Sequence, residues 1–171
     1  MPSLSRLAAD HVELRALCAE LRGLTASASP PDREVLTDAR WRLARCLLRH
    51  LPLKDRLVYA RLRCHPNPAV VDVVERFSAE TGQLYGQFAS HSERWTPEAV
   101  EKGWASYSIA LRTLTHLLED RLAREEAELL PHLDGAPDIP TTRGLDDRNW
   151  AADGWAIRDR LGVDKGTPRA A

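Results

Sequence analysis

The chain has 171 residues, 43% of them hydrophobic and 6% aromatic, with 24 basic side chains against 25 acidic ones. That length suits one ordinary domain and a tail, and a net charge of -1 leaves no field to hold a polyanion or a charged membrane surface. Nucleic-acid and membrane partners are therefore not expected. No apolar run approaches the roughly 20 residues of a membrane span, and the start, Met1-Pro2-Ser3-Leu4-Ser5, carries no leader pattern. Cys18, Cys46 and Cys64 form no CxxC pair, so neither a disulfide framework nor a thiolate metal site is expected. A cytoplasmic protein fits these features.

In the first element, from about Leu4 to Leu24, Leu4, Leu7, His11, Leu14, Cys18 and Leu21 recur at spacings of three and four, a helical stripe with one histidine in it. The run Ala26–Pro31 breaks it, and Asp32 offers an N-cap for a second helix reaching about Arg63. There Leu43, Leu47, His50, Lys54, Leu57 and Arg61 share a face, and Pro52 predicts a kink just beyond His50. Asn67-Pro68 reads as the cap and first residue of a third helix, which carries Val70, Val74, Phe77, Thr81, Leu84, Phe88 and His91 to about Trp95.

Thr96-Pro97-Glu98 opens the last long segment, with an irregularity expected at Gly103. Trp104, Tyr107, Leu111, Leu114, Leu118, Glu125 and Leu129 lie on its inner face, and it ends near Leu133. The fold class expected is all-α: an antiparallel up-down-up-down four-helix bundle over 1–133, followed by a C-terminal tail over 134–171. Within the tail, residues 146–161 have the pattern of a short helix that docks through Trp150 and Trp155. His91 and His132, near helix ends, are expected at the surface or as caps.

One internal echo carries most of the chemistry. The stretch from His50 through Lys54 and Asp55 to Leu62 aligns without gaps on the stretch from Arg121 through Glu125 and Glu126 to Leu133. A spacing of four puts 50 and 54 on one helix face, and likewise 121 and 125. Lys54 and Glu125 fall inside their apolar stripes, whereas Asp55 and Glu126 fall toward the edges.

At these residues the sequence resembles the hemerythrin-like, or HHE cation-binding, family, most specifically in the run Arg124-Glu-Glu-Ala-Glu-Leu-Leu-Pro-His-Leu133. The resemblance implies a four-helix bundle with a non-haem di-iron centre, used to bind or sense oxygen or iron, or to handle nitric oxide or peroxide. Carried over residue by residue, it implies metal ligation by His11, by His50 and by Glu125 or, failing it, Glu126. Lys54 stands where the helix-two glutamate belongs and Arg121 where the helix-four histidine belongs. Thr81, or its neighbour Glu80, stands at the helix-three histidine. A protonated lysine or an arginine donates no lone pair and repels a cation.

Two readings follow. In the first, Lys54, Arg121, Glu80 and Thr81 form a core polar network in place of the metal, completed by His11 and His50, and the domain is a binding or regulatory module. That reading favours no cofactor and leaves room for a protein partner or self-association. In the alternative, His11, His50 and Glu125 keep a reduced site for non-haem iron in an oxygen, redox or iron sensor, or in a protein handling oxygen, peroxide or nitric oxide. No catalytic residues are expected: there is no nucleophile elbow or phosphate loop, and an enzyme is the less favoured class.

Overall fold

The computed structural model describes residues 2–137 and 150–163, which are helical with no strand among them. Helix α1 (Pro2–Leu24) stops where the Ser/Pro-rich run begins, with the Thr25 hydroxyl donating to the Leu21 carbonyl. Asp32 caps α2 (Arg33–Lys54), its carboxylate accepting from the Glu34 amide at 2.8 Å. Asn67 caps α3 (Pro68–Arg94) in the same way, and Thr96 caps the short α4 (Pro97–Lys102); each helix starts on the proline that follows its cap. Gly103 interrupts the last segment as expected, and α5 (Trp104–Arg124) begins after it. The Trp104 indole donates to the Ser27 carbonyl, tying the start of α5 to the α1–α2 connection.

Two helices do not end where their α-helical ladder ends. Helix α2 runs on through a π-helical turn, Asp55–Tyr59, and a last turn, Ala60–Leu62, with the Ala60 amide donating to the Asp55 carbonyl. Helix α5 does the same through Glu125–Leu129, where the Leu130 amide reaches the Glu125 carbonyl, and it closes in a 3₁₀ segment, Leu130–Gly135. Pro131 follows the second slip, and having no N–H it cannot continue an α-helical ladder. Pro52 sits inside α2, and the disturbance expected just beyond His50 falls at this π turn instead.

Helix α1 packs on α2 and α5, and α3 packs on α5. The core divides into two apolar clusters, one holding Leu14, Leu51, Tyr85 and Leu122, the other Leu7, Val58, Phe77 and Leu129. Every long helix carries an inward polar residue between the clusters: His11 between Leu7 and Leu14, Lys54 between Leu51 and Val58, Thr81 between Phe77 and Tyr85, and Glu125 between Leu122 and Leu129. A single polar layer thus crosses the apolar interior.

Helix α6 (Trp150–Leu161) packs against α2 and α3. Its docking side chains are Ile157 and Leu161, both buried, whereas Trp155 is 61% exposed. The expectation that Trp155 docks is therefore corrected: two residues before Ile157, it lies off the buried face that 157 and 161 share, at the exposed edge of the helix. The Trp150 side chain and residues 146–149 of the expected tail helix lie outside the described residues.

His91 is also corrected. It is half-buried rather than at the surface, its ring 5.8 Å from that of Tyr107. Burial, then the charges of Arg40 and Arg94, push its pKa from 6.5 down to about 4. A histidine held below its ordinary value binds its proton better in the unfolded chain, so its contribution to stability is lost as pH falls from about 6.5 toward 4. Between pH 7 and pH 5 this residue should remove about 1–2 kcal/mol of unfolding free energy. Urea unfolding should show a shallower pH slope in His91→Gln, and an unchanged slope would rule the effect out.

Candidate metal centre

The polar layer is built around one carboxylate. His11, His50, Lys54, Arg121 and Glu125 are 2%, 1%, 4%, 6% and 0% exposed. The Oε1 atom of Glu125 accepts from the Lys54 ammonium at 2.5 Å and from Arg121 Nε at 2.8 Å. Its other oxygen, Oε2, lies 3.6 Å from His11 Nε2 and has no hydrogen-bond partner among the described residues. The two oxygens therefore face two different chemistries, cations on one side and imidazoles on the other.

Arg121 uses all of its nitrogens. Beyond Glu125, Nη1 donates to Glu80 Oε2 at 2.5 Å, and Nη2 donates to the Phe77 carbonyl at 2.6 Å and to Thr81 Oγ1 at 2.9 Å. The Tyr59 hydroxyl lies 3.2 Å from Nη2 and 2.7 Å from Thr81 Oγ1. The guanidinium stacks on the Phe77 ring at 4.2 Å. Such a planar five-donor group suits a buried position when every donor is met. Glu80 is shared with Arg124 near the surface, which draws the network outward along α3.

Electrostatics follow from this arrangement. Burial opposes the charge on Glu125, but Lys54, His11 and Arg121 outweigh it, and the carboxyl is held well below the usual carboxylate range. Burial likewise opposes the Lys54 ammonium, and the Glu125 carboxylate outweighs that, so Lys54 is held above its ordinary value. His50 has no such support. Burial, then the Lys54 charge, push it from 6.5 down to about 3, which leaves a neutral imidazole with its lone pair available.

Each histidine faces a carboxylate through Nδ1. His11 Nδ1 lies 2.8 Å from Glu126 Oε1, and Glu126 is itself clamped by Arg15 at 2.9 and 2.8 Å. The Arg15 bond, together with His11, pulls Glu126 down to about 2. His50 Nδ1 lies 3.7 Å from Asp10 Oδ2, and Arg49 holds the other oxygen of Asp10 at 2.7 Å. For His11 the hydrogen-bonded carboxylate behind Nδ1 fixes the ring and leaves the Nε2 lone pair free, the arrangement found behind histidines that ligate metals; His50 has no such bond. His11, His50 and Glu125 each offer one donor atom, all within 4.8 Å of one another. A 20 Å³ cavity adjoins them, lined by His50, Lys54, Thr81, Arg121 and Glu125 among others.

Of the residues singled out in the sequence, His11, His50, Lys54, Thr81, Arg121 and Glu125 meet in this layer, and Glu80 reaches it from a partly exposed position. Glu126 does not enter it: its side chain is 41% exposed and it supports His11 from outside. Asp10 and Arg49 were missed. The signal for Asp10 was its place next to His11 and one turn from Leu7 and Leu14, which buries a carboxylate that then needs a partner. Asp10, Glu13 and Cys46 also gather closely, but Arg49 already supplies the cation there, 2.7 Å from both carboxylates.

Removing the shared carboxylate strands the buried Lys54 ammonium and leaves Arg121 with Glu80 as its carboxylate partner. Glu125→Gln should lower the unfolding free energy by about 3–5 kcal/mol. Adding Lys54→Met should restore part of that loss, because no unpaired ammonium is then left beside the glutamine. Denaturant titration of the single and double variants checks this, and simply additive losses would contradict it.

The family model of the hemerythrin HHE cation binding domain matches residues 3–133. No curated protein and no solved structure shows a significant match. The matched span takes in the four long helices and every residue of the polar layer, so the chain belongs to the hemerythrin HHE cation-binding family.

Proposed function

We propose that this domain binds a single transition-metal cation through His11, His50 and Glu125, in place of a dinuclear centre, and serves as a cation-responsive binding or regulatory module. The observation that carries this reading is the set of buried donor atoms without partners: neither ring nitrogen of His50 and not Oε2 of Glu125 has a hydrogen-bond partner among the described residues. Leaving such groups unsatisfied in an apolar interior is costly, and a bound cation would satisfy Glu125 Oε2 and one nitrogen of His50 together. Two imidazole nitrogens and one carboxylate oxygen match the donor types that iron and zinc take.

A second ion does not fit the residues present. Lys54 and Arg121 stand beside Glu125 Oε1 with their positive charges, and neither offers a lone pair. Reactions that divide two electrons between two irons are accordingly not proposed. When bound, one transition metal would supply Lewis acidity and, if iron, one-electron redox chemistry. The chain's own part is to hold His11 in a fixed tautomer through Glu126, to keep Glu125 ionised, and to exclude bulk water between the two apolar clusters.

The second reading keeps the network and dispenses with the ion. What favours it is that Lys54 and Arg121 already neutralise Glu125 and Glu80. We further propose an antiparallel up-down-up-down order for the four long helices, supported by the short connections at residues 25–32, 63–67 and 95–103, the last of which includes α4. A cytoplasmic setting is proposed on the three free cysteines, and no described helix is long and apolar enough to cross a membrane.

The deciding measurement is metal content and thermal unfolding of chelator-free protein titrated with ferrous iron and with zinc. The single-cation reading expects one ion per chain and a gain of about 2.7 kcal/mol at a hundredfold excess of free ion over Kd. Both should be lost in His11→Ala and His50→Ala. Protein that takes up neither ion and gains no stability would overturn this reading in favour of the metal-free network.

A further inference from the structure

We propose that the groove between α2 and α6 is a binding site for a small planar aromatic anion, which the indoles of Trp41 and Trp155 would stack and Arg45 would pair. The site is separate from the polar layer and does not depend on the cation reading. The groove encloses a cavity of 390 Å³, lined chiefly by Trp41, Arg45, Leu48, Arg49, Trp155 and Arg158. That volume lies within the roughly 300–1,000 Å³ of small-ligand sites.

The lining selects the chemistry. Two indoles and Leu48 offer flat apolar surface, and Trp155 is 61% exposed. An exposed indole is a ready stacking surface, and Arg158 already lies over it at 5.3 Å. Three guanidinium groups and no carboxylate line the cavity. Arg49 is neutralised by Asp10 and Glu13, whereas Arg45 is exposed and has no acidic partner among the described residues. A neutral aromatic molecule would leave that charge unmatched, and a compact non-aromatic anion would leave the indoles uncovered. A flat ring bearing one carboxylate satisfies both, since the guanidinium fork matches the carboxylate plane.

The test is calorimetric titration of the full chain with naphthoate and with its neutral amide. The proposal expects saturable binding of one naphthoate per chain, about tenfold or more tighter than the amide, the size of effect a charge-assisted pair gives. Trp155→Ala and Arg45→Ala, both at exposed positions and checked for retained helicity by circular dichroism, should each weaken naphthoate about tenfold. Three results would overturn it: no saturable binding, equal binding of acid and amide, or binding that neither variant changes.

Discussion

Everything in the interior depends on how the Glu125 carboxylate is divided. One oxygen holds the Lys54 ammonium and the Arg121 guanidinium; the other faces His11 without a partner. Burial of an isolated carboxylate at this depth would raise its pKa until it took up a proton. The two cations prevent that, and in keeping Glu125 ionised they also keep it a competent oxygen donor toward the imidazoles. The same pair of charges therefore sets the protonation state of the one carboxylate that faces the imidazoles.

The polar layer explains why the two apolar clusters stay distinct. Buried ion pairs seldom add net stability over well-packed hydrocarbon, but they penalise misregister strongly, because any slip strands a charge. Sliding α5 by one residue would remove Glu125 from Lys54 and leave the interior with unpaired cations. Arg121 adds to this constraint through Phe77, Thr81 and Tyr59, which fix α3 and the end of α2 against α5. The layer thus acts as a register key for the four long helices.

Much of this was legible before any coordinates. Helical spacing placed Lys54 and Glu125 inside apolar stripes, and both are buried; Asp32 and Asn67 read correctly as caps because Ser/Thr/Asn/Asp before a helical run have few other local uses. The family resemblance, carried by the run Arg124–Leu133, agrees with the match over residues 3–133. Asp10 and Arg49 escaped because a buried carboxylate next to a histidine has no periodic signature of its own. Trp155 misled because composition alone says that tryptophan prefers burial, whereas Ile157 and Leu161 are the pair that share a helix face. The π turns were invisible, since a slip of one hydrogen bond leaves no mark in side-chain periodicity.

Those turns have a meaning beyond local geometry. They fall at matching places in the two halves of the internal echo, just after Lys54 and at Glu125. An extra residue in a helical turn weakens the ladder and persists where something local maintains it. Here it is maintained beside the buried charges of Lys54, Arg121 and Glu125. The backbone thus forms a mould distinct from the side chains that fill it. Positions 54, 81 and 121 still converge on one interior point, so the chemistry of this core is set by which side chains the mould is filled with, not by rebuilding the mould.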